Sequence, residues 1–163
     1  MNFIDLIPEE ITQNVAERVH RRLDVICGLL KEGDKVLDVG CGTGAYISNA
    51  LGYLPIYITA IDYDSKSIEY AQNRNQHKNL EFIVASDESF KTKRKYDLVI
   101  CSHILEHTPV PLSMLANIKS YLKGDGILYL GIPNGFGCFE IENFIPRMFH
   151  KTTWGKAIIT KIR

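Results

Sequence analysis

A chain of 163 residues has room for one domain with a hydrophobic core and little for a second. With 45% hydrophobic and 23% charged residues it is composed like an ordinary globular domain, and 19 basic against 19 acidic residues leave no net charge to draw it toward nucleic acid or an anionic membrane. MNFIDLIPEE lacks the basic start and apolar core of a secretory signal, and the longest apolar stretch, 50–61, is broken by Gly52 and Pro55, so one cytoplasmic domain over 1–163 is expected, with no nucleic-acid partner and no membrane span.

Apolar residues at Ile11, Val15, Val19, Leu23, Ile26 and Leu30 describe one face of a long helix, with Pro8 suited to its first turn and Gly33 to its end. A strand over 35–39, a short helix over 44–51 and a β-branched strand over 56–61 follow, the last bounded by Pro55 and Asp62. Asp64 or Ser65 can cap the next helix, which runs to about Asn75. Strands are then predicted over 80–84, 96–101 and 127–131, with a helix between the last two that Pro111 starts and Gly124 stops. Apolar strands alternating with amphipathic helices imply an α/β fold: a doubly wound, mostly parallel sheet with its ligand crevice outside the carboxyl ends of the strands.

The residues at those ends carry the chemistry. In VLDVGCGTG a strand that closes on Asp38 runs into glycines at 40, 42 and 44, a turn that builds a nucleotide-sized site. The Asp38 carboxylate at the mouth of the turn would repel a pyrophosphate and welcome a cation, so the ligand should carry an ammonium or sulfonium. Asp62 and Tyr63 follow the second strand, and Asp87 and Glu88 the third. Asp62 lies 18 residues beyond Gly44, near the interval at which a second-strand acid reaches ribose hydroxyls. Tyr63 can lay its ring on a base, and Asp87 can accept from an exocyclic amine such as adenine N6.

With IDYD, Asp87 and the later run YDLVICSHILEHTPVPLSMLANIKSYLKGDGILYLGIPN, this motif resembles the class I S-adenosylmethionine-dependent methyltransferases, in particular the small-molecule branch that includes quinone-biosynthesis enzymes. The resemblance covers roughly residues 12–134. It implies a Rossmann-like fold with S-adenosylmethionine across the strand ends. Asp38 and the turn of Gly40, Cys41, Gly42 and Gly44 would hold the methionine part, Asp62 the ribose, Tyr63 the adenine ring, and Asp87 with Glu88 its amino edge. Ser102 would pass beside the sulfonium, and His103 and His107 are the candidate catalytic bases for an acceptor hydroxyl. The reaction implied is methyl transfer to a small molecule, a carbohydrate or a lipid intermediate, with a non-catalytic cofactor-binding module as the alternative; no metal is implied.

Other readings of single features stay open. Gly40, Gly42 and Ala45 also satisfy the G-x-G-x-x-A of a nicotinamide dinucleotide site, although Asp38 would then face the pyrophosphate. Asp62 and Asp87 can be ordinary loop acids, Tyr63 packing, and Glu106 with His107 a loop-fixing pair. The basic cluster KTKRK over 91–95 reads as a solvated loop or an anion-binding segment. Cys27, Cys41, Cys101 and Cys138 show no CxxC pair and read as free thiols.

The family fold continues past strand five with a helix and an antiparallel pair of strands, for which the roughly thirty residues after Ile132 are too few. The sheet should therefore stop at strand five, with a core over 31–134 and an aromatic tail over 135–163 that holds a short helix over 139–149. A fragment, a natural minimal form and a subunit completed by a partner all fit this. Strand five would be an edge, covered by residues 157–162 or used, with the tail, for self-association.

Overall fold

A computed structural model describes residues 3–13 and 17–132; the predicted tail helix over 139–149 and the covering strand over 157–162 lie outside the described residues. In chain order the elements are α1 (Glu9–Gln13), α2 (Glu17–Leu29), β1 (Lys35–Val39), α3 (Ser48–Leu51), β2 (Tyr57–Asp62), α4 (Ser65–Arg74), β3 (Leu80–Val84), β4 (Tyr96–Ser102), α5 (Pro111–Tyr121) and β5 (Leu122–Gly131). Among the described residues, no helix is long and apolar enough to cross a membrane.

The five strands form one parallel sheet in the order β3-β2-β1-β4-β5. From β1 the chain steps outward to β2 and β3, then returns to place β4 on the other side of β1. That reversal opens a crevice between the carboxyl ends of β1 and β4, where loops leave in opposite directions. Residues alternate across the sheet. Val36, Ile58, Ala60, Leu98, Ile100 and Tyr129 pack with Val19, Leu23, Ile26 and Leu30 of the α2 segment and with α3 and α4. Leu37, Val39, Ile61, Val99, Cys101 and Leu128 face Met114, Ile118 and Tyr121 of α5. A sheet buried on both faces explains why its strands read as nearly unbroken apolar runs.

Two predicted junctions move and one predicted cap is found in place. α3 begins at Ser48 rather than at 44 because the backbone through Gly44 is left-handed (φ 68°) and cannot start a right-handed helix. Asp64 caps α4, accepting from the Lys66 and Ser67 amides at 3.3 and 3.2 Å, as its sequence position predicts. Gly124 does not stop α5; the helix ends at Tyr121 and passes directly into β5, whose first residue pairs with Tyr96 before an irregularity in the β4–β5 register.

Candidate functional site

The glycine turn is held against β2. Gly40 and Cys41 amides both donate to the Ile61 carbonyl, at 2.8 and 3.0 Å, and the Gly42 amide donates to Asp62 Oδ2 at 2.8 Å. A Cβ on Gly44 would stand 2.5 Å from the Phe82 ring, and one on Gly40 would stand 2.3 Å from Ile104 Cδ1. At Gly42 a Cβ would meet nothing within 4 Å, so the middle of the turn faces open space. Gly44→Ala is expected to cost about 2–4 kcal/mol, the sum of a left-handed alanine and an overpacked contact with a buried ring. Urea denaturation measures it; an unchanged midpoint would mean the turn relaxes freely.

Beneath the turn, Asp38 is buried in β1 and accepts from Ser48 Oγ at 2.5 Å. Burial, with the nearby Asp62 carboxylate, pushes its carboxyl up to about 6 against the lowering effect of Ser48. Its charge thus sits beside a hydroxyl and another acid. Asp62, also buried, accepts from the Gly42 amide through Oδ2 and from the Asp64 amide at 2.9 Å through Oδ1. Each of its oxygens keeps a second lone pair for a ligand. Tyr63, next in the chain, is 81% exposed.

Asp87 accepts from Asn117 Nδ2 at 2.9 Å, and its carbonyl accepts from the Tyr121 hydroxyl at 2.7 Å, so α5 holds the segment that follows β3. With Glu88, Phe90, Asn117 and Tyr121 it lines a hollow of about 460 Å³. The basic loop beside it is pinned locally. Arg94 pairs with Glu81 at 2.7 Å, Lys91 donates to the Glu88 carbonyl at 2.8 Å, and Lys95 donates to the Ser120 carbonyl. These contacts match a solvated loop.

At the end of β4, Ser102 Oγ is buried without a hydrogen-bond partner among the described residues. His103 follows in the left-handed region (φ 59°), its amide donating to the Gly131 carbonyl at 2.7 Å. Its ring joins two elements distant in sequence. Arg22 of α2 donates to Nε2 at 2.5 Å, and Nδ1 lies 3.4 Å from Glu106 Oε1. His107, by contrast, is exposed on the 3-10 turn Leu105–His107. The two candidate bases are therefore separated by environment, and His103 is the one held at the strand end.

Arg22 escaped the sequence reading. Its signal was a charge set among Val19, Leu23 and Ile26, on the face that packs against the sheet. The guanidinium also opposes the upward shift that burial imposes on the Tyr129 hydroxyl. A partly buried arginine bonded to an imidazole nitrogen instead of a carboxylate is suited to receiving an anion.

Two thiols complete the surroundings. Cys41 in the turn and Cys101 in β4 are free; burial raises both, and Asp38 adds to both shifts, leaving Cys101 at about 12. The Cys101 thiol is also raised by Glu106 and Asp87, so acids from β1, from beyond β3 and from beyond β4 converge on one edge of the sheet. Among the described residues, no group of three or more His, Cys, Asp or Glu side chains is placed to hold a metal ion.

Comparison with known proteins agrees with this geometry. The family described as "Methyltransferase domain" matches residues 30–156. The chain is 34% identical over 110 residues to the ubiquinone biosynthesis O-methyltransferase of Actinobacillus pleuropneumoniae, a match covering 63% of this chain and 47% of that protein. It thus spans about half the length of such curated relatives. Among solved structures, coclaurine N-methyltransferase bound to N-methylheliamine and SAH superposes with a TM-score of 0.61 at 27% identity, covering 68% of this chain and 34% of that one. The [4+2]-cyclase SpnF superposes equally well, with a TM-score of 0.61 at 25% identity, covering 68% of this chain and 43% of that one.

Proposed function

This chain belongs to the class I S-adenosylmethionine-dependent methyltransferase family, and from that premise we propose that it binds S-adenosylmethionine at the carboxyl edge of its sheet for methyl transfer to a small-molecule acceptor. The observation that carries this reading is Asp38, a buried carboxylate flanked by a hydroxyl and a second acid. Such a group calls for a cation, and the cofactor brings an ammonium and a sulfonium without a phosphate. The orphaned Ser102 Oγ and the open face of Gly42 also fit a polar ligand that lies close to the backbone.

In this reading Asp38 holds the ammonium and Arg22 the carboxylate of the methionine part, against the backbone of Gly40, Cys41, Gly42 and Gly44. Asp62 takes the ribose hydroxyls on its spare lone pairs, Tyr63 packs on the adenine, and Asp87 with Glu88 meets the amino edge. Ser102 stands beside the reacting centre, and His103, rather than the exposed His107, takes the proton of an acceptor hydroxyl. The bound cofactor supplies a methyl group on sulfonium, already a good leaving group. The protein's part is alignment, worth up to roughly 7–11 kcal/mol in favourable systems. The relatives' O-methyltransferase name supports an acceptor with a hydroxyl. The proposal takes residues 1–163 as one cytoplasmic domain, and it includes self-association through β5, whose outer edge is unpaired among the described residues; solution mass tests that part.

Calorimetric titration with S-adenosylhomocysteine tests the site. Affinity should be nearly level above about pH 7 and fall about tenfold by pH 5, because a protonated Asp38 cannot pair with the ammonium. The same ligand should show no such fall in Asp38→Asn. Absence of binding at millimolar ligand sinks the reading. A cofactor-binding module without methyl transfer is the second reading, favoured by the cyclase that shares this fold. Turnover with any hydroxyl acceptor in a panel decides against it.

A further inference from the structure

Arg22 and His103 are 81 residues apart, and their contact joins α2 to the end of β4. A guanidinium only donates, so Nε2 of His103 must be the acceptor, and the neutral ring carries its proton on Nδ1, toward Glu106. In that state the lone pair a base would use is occupied. The backbone that carries the ring is anchored, by its left-handed conformation and by the hydrogen bond its N–H donates to the Gly131 carbonyl, whereas Arg22 hangs on a long, half-buried side chain that can swing without moving α2.

We propose that Arg22 and His103 form a latch that responds to the cofactor: Arg22 covers Nε2 of His103 in the free protein and would swing to a carboxylate bound in the site, leaving Nε2 open to the acceptor's hydroxyl. The proposal rests on the cofactor reading above. A carboxylate outcompetes an imidazole for a guanidinium because both partners are then charged and two parallel hydrogen bonds are available. Once Nε2 is open, the acceptor's O–H proton passes to it, the oxygen keeps the electron pair of that bond, and the resulting imidazolium keeps Nδ1–H toward the Glu106 carboxylate. The charged groups placed around the ring by these contacts are Arg22 and Glu106; Tyr129 lies near Arg22. An acceptor that arrives before the cofactor meets a covered base, so its hydroxyl keeps its proton until the cofactor is bound.

The test uses the full chain labelled with ¹⁵N-histidine and ¹⁵N-arginine, with His103→Gln identifying the histidine resonances. Saturating S-adenosylhomocysteine, its binding followed in parallel by calorimetry, should shift His103 Nε2 downfield as it loses the guanidinium donor. In Arg22→Met the same nitrogen should already be shifted before ligand is added. Should that variant fail to fold, the wild-type shift and the accompanying change in the Arg22 Nε–H resonance carry the test. Ligand that binds with measurable heat yet leaves Nε2 unmoved overturns the latch while the cofactor reading stands. Absence of binding overturns both.

Discussion

Asp38→Asn should make the protein more stable and a worse binder, two changes of opposite sign from one atom pair. With its carboxyl raised to about 6 in the folded state, Asp38 binds its proton more tightly folded than unfolded. Its contribution to stability is therefore fully present below about pH 4, and it is lost as pH rises to about 6, leaving the charged form costly by about 3 kcal/mol. Asparagine removes that charge and keeps an oxygen to accept from Ser48. A gain of about 1–3 kcal/mol in urea denaturation at neutral pH is expected, smaller if the new amide finds no acceptor. Affinity for S-adenosylhomocysteine should fall by at least about 100-fold, since a buried cation loses its counter-charge. Loss of stability with intact binding would make Asp38 a structural residue and remove the basis for a cationic ligand.

Replacing Asp62 strikes both the turn and the ligand. Its carboxylate accepts the Gly42 and Asp64 amides, so Asp62→Ala leaves two partly buried donors without partners. A loss of about 2–5 kcal/mol is expected, together with at least about tenfold weaker cofactor binding from the missing ribose contact. Asp62→Asn separates the two effects: one oxygen still accepts, the fold loses less, and the charge-assisted bonds to a diol disappear. If folded Asp62→Asn binds S-adenosylhomocysteine as tightly as the wild type, Asp62 serves only to hold the glycine turn against β2.

What could be read in advance follows from the range of the interactions involved. β1, β2, β3 and β4 are short apolar blocks flanked by turn residues, so their position along the chain is a local property, and so is the Asp64 cap. The sequence predicts only the second half of β5 because Lys123, Gly124 and Asp125 have turn chemistry; pairing of Leu122 with Tyr96, a tertiary contact, overrides it. The acids of the site were legible because each follows a strand, and the fold brings all such positions to one edge. Arg22 was not legible as a site residue, since its partner is fixed only when α2 crosses the sheet. Nor was the difference between His103 and His107, four residues apart, one tied to Arg22 and one exposed.

The field that suits this edge to a cation also governs its nucleophiles. Cys41 lies in the glycine turn and Cys101 in β4, both on elements of the proposed cofactor site, and a thiolate beside an electrophilic methyl group would invite alkylation of the protein by its own reagent. Burial and the surrounding carboxylates hold Cys101 at about 12 and push Cys41 higher still. Burial first, and the carboxylates proposed to attract a cation second, thus hold both sulfurs in the unreactive thiol form at neutral pH.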